Sequence, residues 1–192
     1  MAAFPRRFRE TVLAELMPPL LPDGRSAFWE AFGRRFTGLD YPTADKLSRS
    51  NKEFIQQLFP PFDVYASVLP PPVQRLLGTV GPRTRPAARL LSRLGFRFVD
   101  RIDPFDGGPH YEARLADVTL VRAHRVAPLS PRPLRGHAPE ALVARLPARG
   151  PTRFCAVRTP ARLAEGRLEL PAAARARLGA HDREPLHLVP FE

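Results

Sequence analysis

The 192-residue chain has a single cysteine, Cys155. An intramolecular disulfide and a cysteine-built metal site are therefore excluded, and a reducing compartment, the cytoplasm, is the expected location. Lysine is almost missing: Lys46 and Lys52 are the only two. No apolar run approaches the roughly 20 residues of a membrane span, so no membrane partner is expected. The opening MAAFPRRFRETVLAEL lacks an uninterrupted apolar core and does not read as a secretory signal. No G-x-G-x-x-G, P-loop, H-E-x-x-H or G-x-S-x-G motif is present. The five histidines, His110, His124, His137, His181 and His187, have no ligand spacing among themselves, so no metal is expected.

Proline and arginine are what the chain has in excess. There are 24 prolines, against an average near 5% of residues, so long helices are not expected and much of the chain must be connections. Apolar residues make up 44%, enough for a real core in one domain, or one domain and a small appendage. The formal net charge of +11 is nearly all arginine. These charges are scattered rather than run together, and they do not interleave with aromatics. They read as solvated surface, and a basic nucleic-acid binder is the weakest of the function classes considered.

Local signals divide the chain. Residues 4–8 look like the tail of a helix. Residues 10–17, ETVLAELM, fit a strand or a helix, and periodicity alone does not choose. Ser26 suits the N-cap of a helix over 27–36, with Phe28, Trp29, Phe32 and Phe36 on one side. Thr43 is the expected cap of a helix over 44–49, and Asn51 of another over 52–59. Residues 63–69 are a strand candidate. Pro71 or Pro72 opens a brief helix that Gly78 closes. Thr84 caps a helix with an apolar stripe at Ala87, Leu90, Leu91 and Leu94, ended by Gly95. Alternation predicts strands at 96–102 and 111–115, joined through Asp106-Gly107-Gly108. Residues 127–151 carry six prolines and read as a linker. Short strands near 153–158 and 167–170, a helix over 171–178 and a strand over 186–191 follow.

Carboxylates gather in the middle of the chain: Asp40, Asp45, Glu53, Asp100, Asp103, Asp106 and Glu112. The plain reading of Asp40 and Asp45 is capping and turn formation. The functional reading is recognition of a cation, since a guanidinium or ammonium held away from water needs fixed carboxylates. Asp106 is most simply a turn residue. Asn51 and Lys52 fit a helix cap and a surface charge, or contacts to substrate. The aromatic stripe at 28–36 reads as core.

Five stretches together carry a resemblance: SAFWEAFGRRFTGLDYPTADKL (26–47), NKEFIQQLFP (51–60), GTVGPRTRPA (78–87), the helix and strand of residues 86–98, and DPFDGGPHYEA (103–113). They look like the arginine N-succinyltransferase family, including the arginine/ornithine succinyltransferase subunits. The resemblance runs from Met1 to about Leu115. It implies an α/β class: the second half of an acyl-CoA N-acyltransferase (GNAT-like) fold with a helical insertion, which favours a strand at 10–17. It implies transfer of succinyl from succinyl-CoA to the α-amine of arginine, with arginine or ornithine as substrate and succinyl-CoA as a cosubstrate, not a tightly bound cofactor. Asp40, Asp45, Asn51 and Lys52 are its substrate-side candidates, and Arg83 and Arg85 are candidates for holding an acid or phosphate.

Two departures stand out. The family's glycine-rich loop for the CoA pyrophosphate has no counterpart, which leaves no obvious source of CoA affinity. The family's proton-donor histidine falls at Gly81, which has no side chain to donate with; His110 is the nearby substitute. The expected organisation is therefore residues 1–126 as the later portion of an acyltransferase-like domain, 127–151 as a linker, and 152–192 as a small β-rich appendage. A separately encoded N-terminal half, a homologous subunit or a truncated gene product would explain the pattern, with little turnover expected alone. The alternative is a non-catalytic or regulatory subunit that completes an acyltransferase.

Overall fold

The computed structural model describes residues 1–50, 53, 64–146 and 154–191. It divides into two compact units: Glu10–Arg114, and Met1–Arg9 together with Leu115–Glu192. Among the described residues no helix is long and apolar enough to cross a membrane.

The central unit, Glu10–Arg114, is built on a three-stranded antiparallel sheet. Its strands are β1 (Thr11–Glu15), β2 (Arg97–Ile102) and β3 (Pro109–Arg114), in the order β1-β3-β2. Residues 10–17 thus contain a strand. Thr11 faces Arg114 and Glu15 faces His110 in register. The pairing of β2 with β3 shifts between Phe98 and Ile102, where Asp100 adopts φ 53°. Such an irregularity twists a strand and re-aims its side chains. β1 and β2 are both edge strands, and Leu13 on β1 is half exposed.

The Ser26 hydroxyl oxygen accepts the Trp29 N–H at 3.1 Å, the expected cap. The same hydroxyl donates to the Asp106 carbonyl at 3.3 Å, tying the helix start to the turn before β3. The helix runs as a π turn over Trp29–Gly33 and continues as α1 (Arg34–Thr37). A Cβ at Gly33 would strike the Trp29 ring, so the glycine lets the indole lie against the backbone. Trp29 is fully buried, packs at a tilt with its ring 4.6 Å from that of Phe105 and donates its Nε1–H to the Leu39 carbonyl at 2.9 Å. Trp29, Tyr41, Ala44 and Phe105 form the core of this unit. The stripe is therefore core at Trp29, while Phe36 is 44% exposed.

Helix α2 spans Tyr41–Ser50 and begins before the expected residue 44. Asp40 is its cap: the Thr43 N–H donates to Asp40 Oδ1 at 2.8 Å, and Pro42 sits in the first turn, where no N–H is needed. The expected helix over 52–59 lies outside the described residues, apart from Glu53. The strand expected at 63–69 is replaced by a 3₁₀ turn over Ala66–Val68. Its N–H groups bond locally, Val68 to Tyr65 and Leu69 to Ala66, and Tyr65 and Val68 stay exposed. Prolines 70–72 then open α3 (Pro71–Gln74).

Helix α4 is Arg85–Arg93. Thr84 does not cap it; its hydroxyl donates to the Met17 carbonyl at 2.8 Å instead. None of its residues is buried and Leu90 is 59% exposed, so the apolar stripe read from the sequence is unfilled here.

The second unit holds α5 (Thr119–Ala123), α6 (Ala172–Leu178) and strands β4 (Arg125–Pro128), β5 (Glu140–Arg145), β6 (Cys155–Pro160), β7 (Arg162–Ala164), β8 (Arg167–Glu169) and β9 (Pro185–Pro190). A four-stranded antiparallel sheet has the order β4-β9-β5-β6, and β7 and β8 make a separate hairpin. Leu129, Val143, Leu168, Leu170 and Leu186 are the deeply buried centre.

The structure draws the division elsewhere than the expected 127–151 linker and 152–192 appendage. Residues 127–151 contain β5, an interior strand bonded on both sides. Pro131 and Pro133 are placed where no ladder donor is required. Pro131 and Pro133 alternate with residues whose N–H groups are used: Ser130 donates to Leu168 O at 2.8 Å and Leu134 to Leu170 O at 3.0 Å. A proline-rich strap thus lies along β8 as an ordered neighbour.

Leu168 is fully buried at the point where this strap, the hairpin and the sheet meet. Leu168→Ala is expected to lower unfolding free energy by about 2–5 kcal/mol, read as a shift of the urea midpoint. A shift below about 0.5 kcal/mol would show that the strap and hairpin do not share one core.

Candidate functional site

Three backbone segments converge at the end of β1. The Gly81 N–H donates to the Met17 carbonyl at 2.9 Å, the Leu16 N–H to the Pro109 carbonyl at 3.2 Å, and the Gly78 N–H to the Gly107 carbonyl at 2.9 Å. Glycine makes the approach possible. A Cβ at Gly81 would sit 2.5 Å from the Pro18 carbonyl oxygen, and one at Gly108 would overlap the Leu16 carbonyl oxygen. Beside this junction lies a cleft of about 280 Å³, lined by Met17, Pro18, Leu21, Gly81, Arg83 and other residues.

Position 81 is therefore closed as well as empty of chemistry. A histidine there would meet main chain, which cannot swing aside as a flexible side chain would. Arg83 lines the cleft and is exposed; Arg85 is exposed at the start of α4.

The carboxylates sort into two groups. Asp40 is committed to the start of α2, and its hydrogen bonds with Thr43 hold it below the usual carboxylate range. Glu112 pairs with Arg101, and Asp103 accepts the Phe105 N–H at 2.9 Å. Asp45 pairs with Arg49 at 2.6 Å on an exposed helix face. Asn51 and Lys52 lie outside the described residues.

Asp106 behaves differently. It accepts the Gly108 N–H at 2.8 Å, as a turn residue would. Yet burial, reinforced by Asp103, Glu15 and Asp45, pushes its pKa up to about 6, even though the Gly108 hydrogen bond works the other way. Burial, then Asp106, Asp45 and Asp103, also push the Tyr41 hydroxyl up. Among the described residues no arginine or lysine pairs with Asp106. Asp45, distant in sequence, thus joins Asp103 in acting on Asp106 and Tyr41.

His110 stands on β3 opposite Glu15. Its Nε2 is buried without a hydrogen-bond partner, and Glu15 Oε1 is 3.8 Å away. Sequence reasoning took Asp106 as a turn former and did not single out Glu15 or Tyr41. The signal lay in the D-P-F-D-G-G run, which puts two aspartates into the turn between β2 and β3.

A family-wide sequence profile described as "Arginine N-succinyltransferase beta subunit" matches residues 1–120. The chain belongs to that family. The arginine N-succinyltransferase of Enterobacter sp. (strain 638) is 38% identical over 146 residues, covering 75% of this chain and 42% of the relative. That of Escherichia coli (strain K12 / DH10B) is 37% identical over the same share of each. Among solved structures, arginine/ornithine succinyltransferase subunit AI from Pseudomonas aeruginosa matches with a TM-score of 0.76 and 31% identity, over 99% of this chain and 54% of that one. The fold is the expected α/β, GNAT-like second half, and the chain spans about half the length of the relatives it matches.

Two measurements test the site. Gly81→Ala is expected to lower stability by about 1–3 kcal/mol, and Gly81→His by at least as much, in thermal or urea melts; an unchanged midpoint would show the backbone can part there. For Asp106, a pKa of about 6 in the fold against 3.8 unfolded means the fold holds this proton more tightly. That contribution is fully present below pH 3.8 and is lost as pH rises through about 6. Asp106→Asn keeps an acceptor for Gly108 and removes the titration. It is expected to be more stable than the parent at about pH 8, by about 1–3 kcal/mol, with little difference near about pH 4. An equal effect at both pH values would refute the assignment.

Proposed function

We propose that this chain supplies the acceptor-amine side of an arginine N-succinyltransferase, and that the thioester side comes from polypeptide corresponding to the part of the relatives this chain does not span. The kinship over residues 1–120 carries the reading. Asp103 and Asp106 support it, because neither has a cationic partner among the described residues and a guanidinium would supply one; Asp45 beside them is already paired with Arg49. Asp40 is spent as a helix cap, so it is not counted in this group.

In such a transfer a neutral amine attacks the thioester carbon of succinyl-CoA, the carbonyl oxygen gains charge, and the thiolate of CoA leaves. The amine must give up a proton, and His110 or Asp106 is the group on this chain suited to take it. His110 carries an unpartnered buried nitrogen, with Glu15 placed to steady the cation formed. Oxyanion donors and the pyrophosphate loop would come from the second segment. The open edge of β1 is where that segment would add strands, since an unpaired edge with half-exposed Leu13 is a ready template. Arginine or ornithine is the substrate, and cytoplasmic residence follows from the family's metabolic role.

Gly81 favours a second reading, a non-catalytic subunit that completes or regulates an acyltransferase, because the position is sterically closed to a proton donor.

Thiol release from succinyl-CoA in the presence of arginine, together with size-exclusion chromatography, separates the readings. The chain alone is expected to show no turnover. Mixed with the N-terminal part of a relative, it is expected to form a complex with turnover, and Asp106→Asn is expected to raise KM for arginine about tenfold or more. A complex without turnover would select the regulatory subunit. Neither complex nor turnover would sink both.

A further inference from the structure

The strap over residues 129–135 and the β7–β8 hairpin border an open hollow of about 510 Å³ in the second unit. It is lined by Arg132, Pro133, Arg135, Arg162 and Glu169. Three guanidinium groups therefore face one carboxylate. Arg162 is fixed: its Nη2 donates to the His137 carbonyl at 2.9 Å and to that of Arg135 at 3.4 Å, and its Nη1 lies 3.5 Å from Glu169. Glu169 is thereby engaged. Arg132 and Arg135 have no carboxylate partner among the described residues. A second hollow of about 400 Å³ shares Arg132 and Glu169 and adds Arg167 and Glu165.

We propose that this hollow binds a small phosphorylated compound, with Arg132 and Arg135 gripping the phosphate and Arg162 holding the strap that presents them. Guanidinium groups crowded around one concavity repel one another, and a multivalent anion relieves that repulsion. Each planar fork matches two oxygens of a phosphate. Arg162 links the hairpin to the strap carbonyls, so the two free guanidinium groups are carried on a fixed backbone, and less ordering is needed on binding. The volume fits a phosphate with an organic body attached. The lining has no aromatic ring on which bases would stack, which favours a small anion over a nucleic acid strand. The site lies wholly within the second unit and does not depend on the acyl-transfer reading.

Calorimetric titration of the full chain with inorganic pyrophosphate at fixed ionic strength tests the site. Saturable one-to-one binding is expected. Arg132→Ala with Arg135→Ala is expected to weaken it about tenfold or more. Arg89→Ala with Arg93→Ala in α4 removes the same charge elsewhere and is expected to change it less than about twofold. Equal losses in both pairs, or no saturation, would overturn the proposal in favour of diffuse charge. Should the alanine pair unfold, Arg132→Lys with Arg135→Lys decides. This pair keeps the charge without the fork, so about a threefold loss supports the site and an unchanged affinity refutes it. A single-stranded oligonucleotide that binds more tightly than pyrophosphate, with equal sensitivity to both alanine pairs, would assign the charge to nucleic acid and overturn the proposal.

Discussion

The junction at the end of β1 depends on backbones meeting with nothing between them. Gly81 approaches residues 17–18 and Gly108 approaches Leu16, each at a separation no Cβ allows. The cleft wall, the reach of Thr84 to Met17 and the position of the D-G-G turn all follow from that spacing. A side chain at either glycine would push the 78–84 segment or the turn away from β1, and the acidic residues set by the turn would move with it.

Charge is distributed differently in the two units. The central unit gathers carboxylates around a buried tyrosine and leaves two of them, Asp103 and Asp106, without a cationic partner among the described residues. The second unit gathers guanidinium groups around a hollow and neutralises only one of them. The high net charge of the sequence therefore hides two local fields of opposite sign. A whole-chain charge describes neither, because interactions beyond a Debye length of about 10 Å are screened.

Much of the central unit was legible in the sequence. The Ser26 cap, the strand–turn–strand over 96–115 and the α4 helix rest on short-range chemistry, and the structure contains all three. The start of α2 was misplaced because Asp40 and Thr43 are both good capping residues, and only the Trp29 and Phe105 packing of Tyr41 selects the earlier start. Residues 63–69 alternate as a strand does, but among the described residues no strand pairs with 64–69. In the second unit the prolines masked β5, whose Ala-rich face gives a weak alternation signal between Pro139 and Pro147. The β7–β8 hairpin did leave a trace: Glu165-Gly166 both take positive φ, the tight two-residue turn that X-Gly favours. The acidic group was not legible, because Asp45 and Asp106 are brought together only by the packing of α2 against the turn before β3.

The Pro18 carbonyl occupies the space any side chain at position 81 would need, so a substitution there and the course of the 17–18 main chain are not independent. A change that loosens residues 17–18 would have to accompany any bulkier residue at 81, and the two belong in one double-mutant cycle rather than in separate single variants.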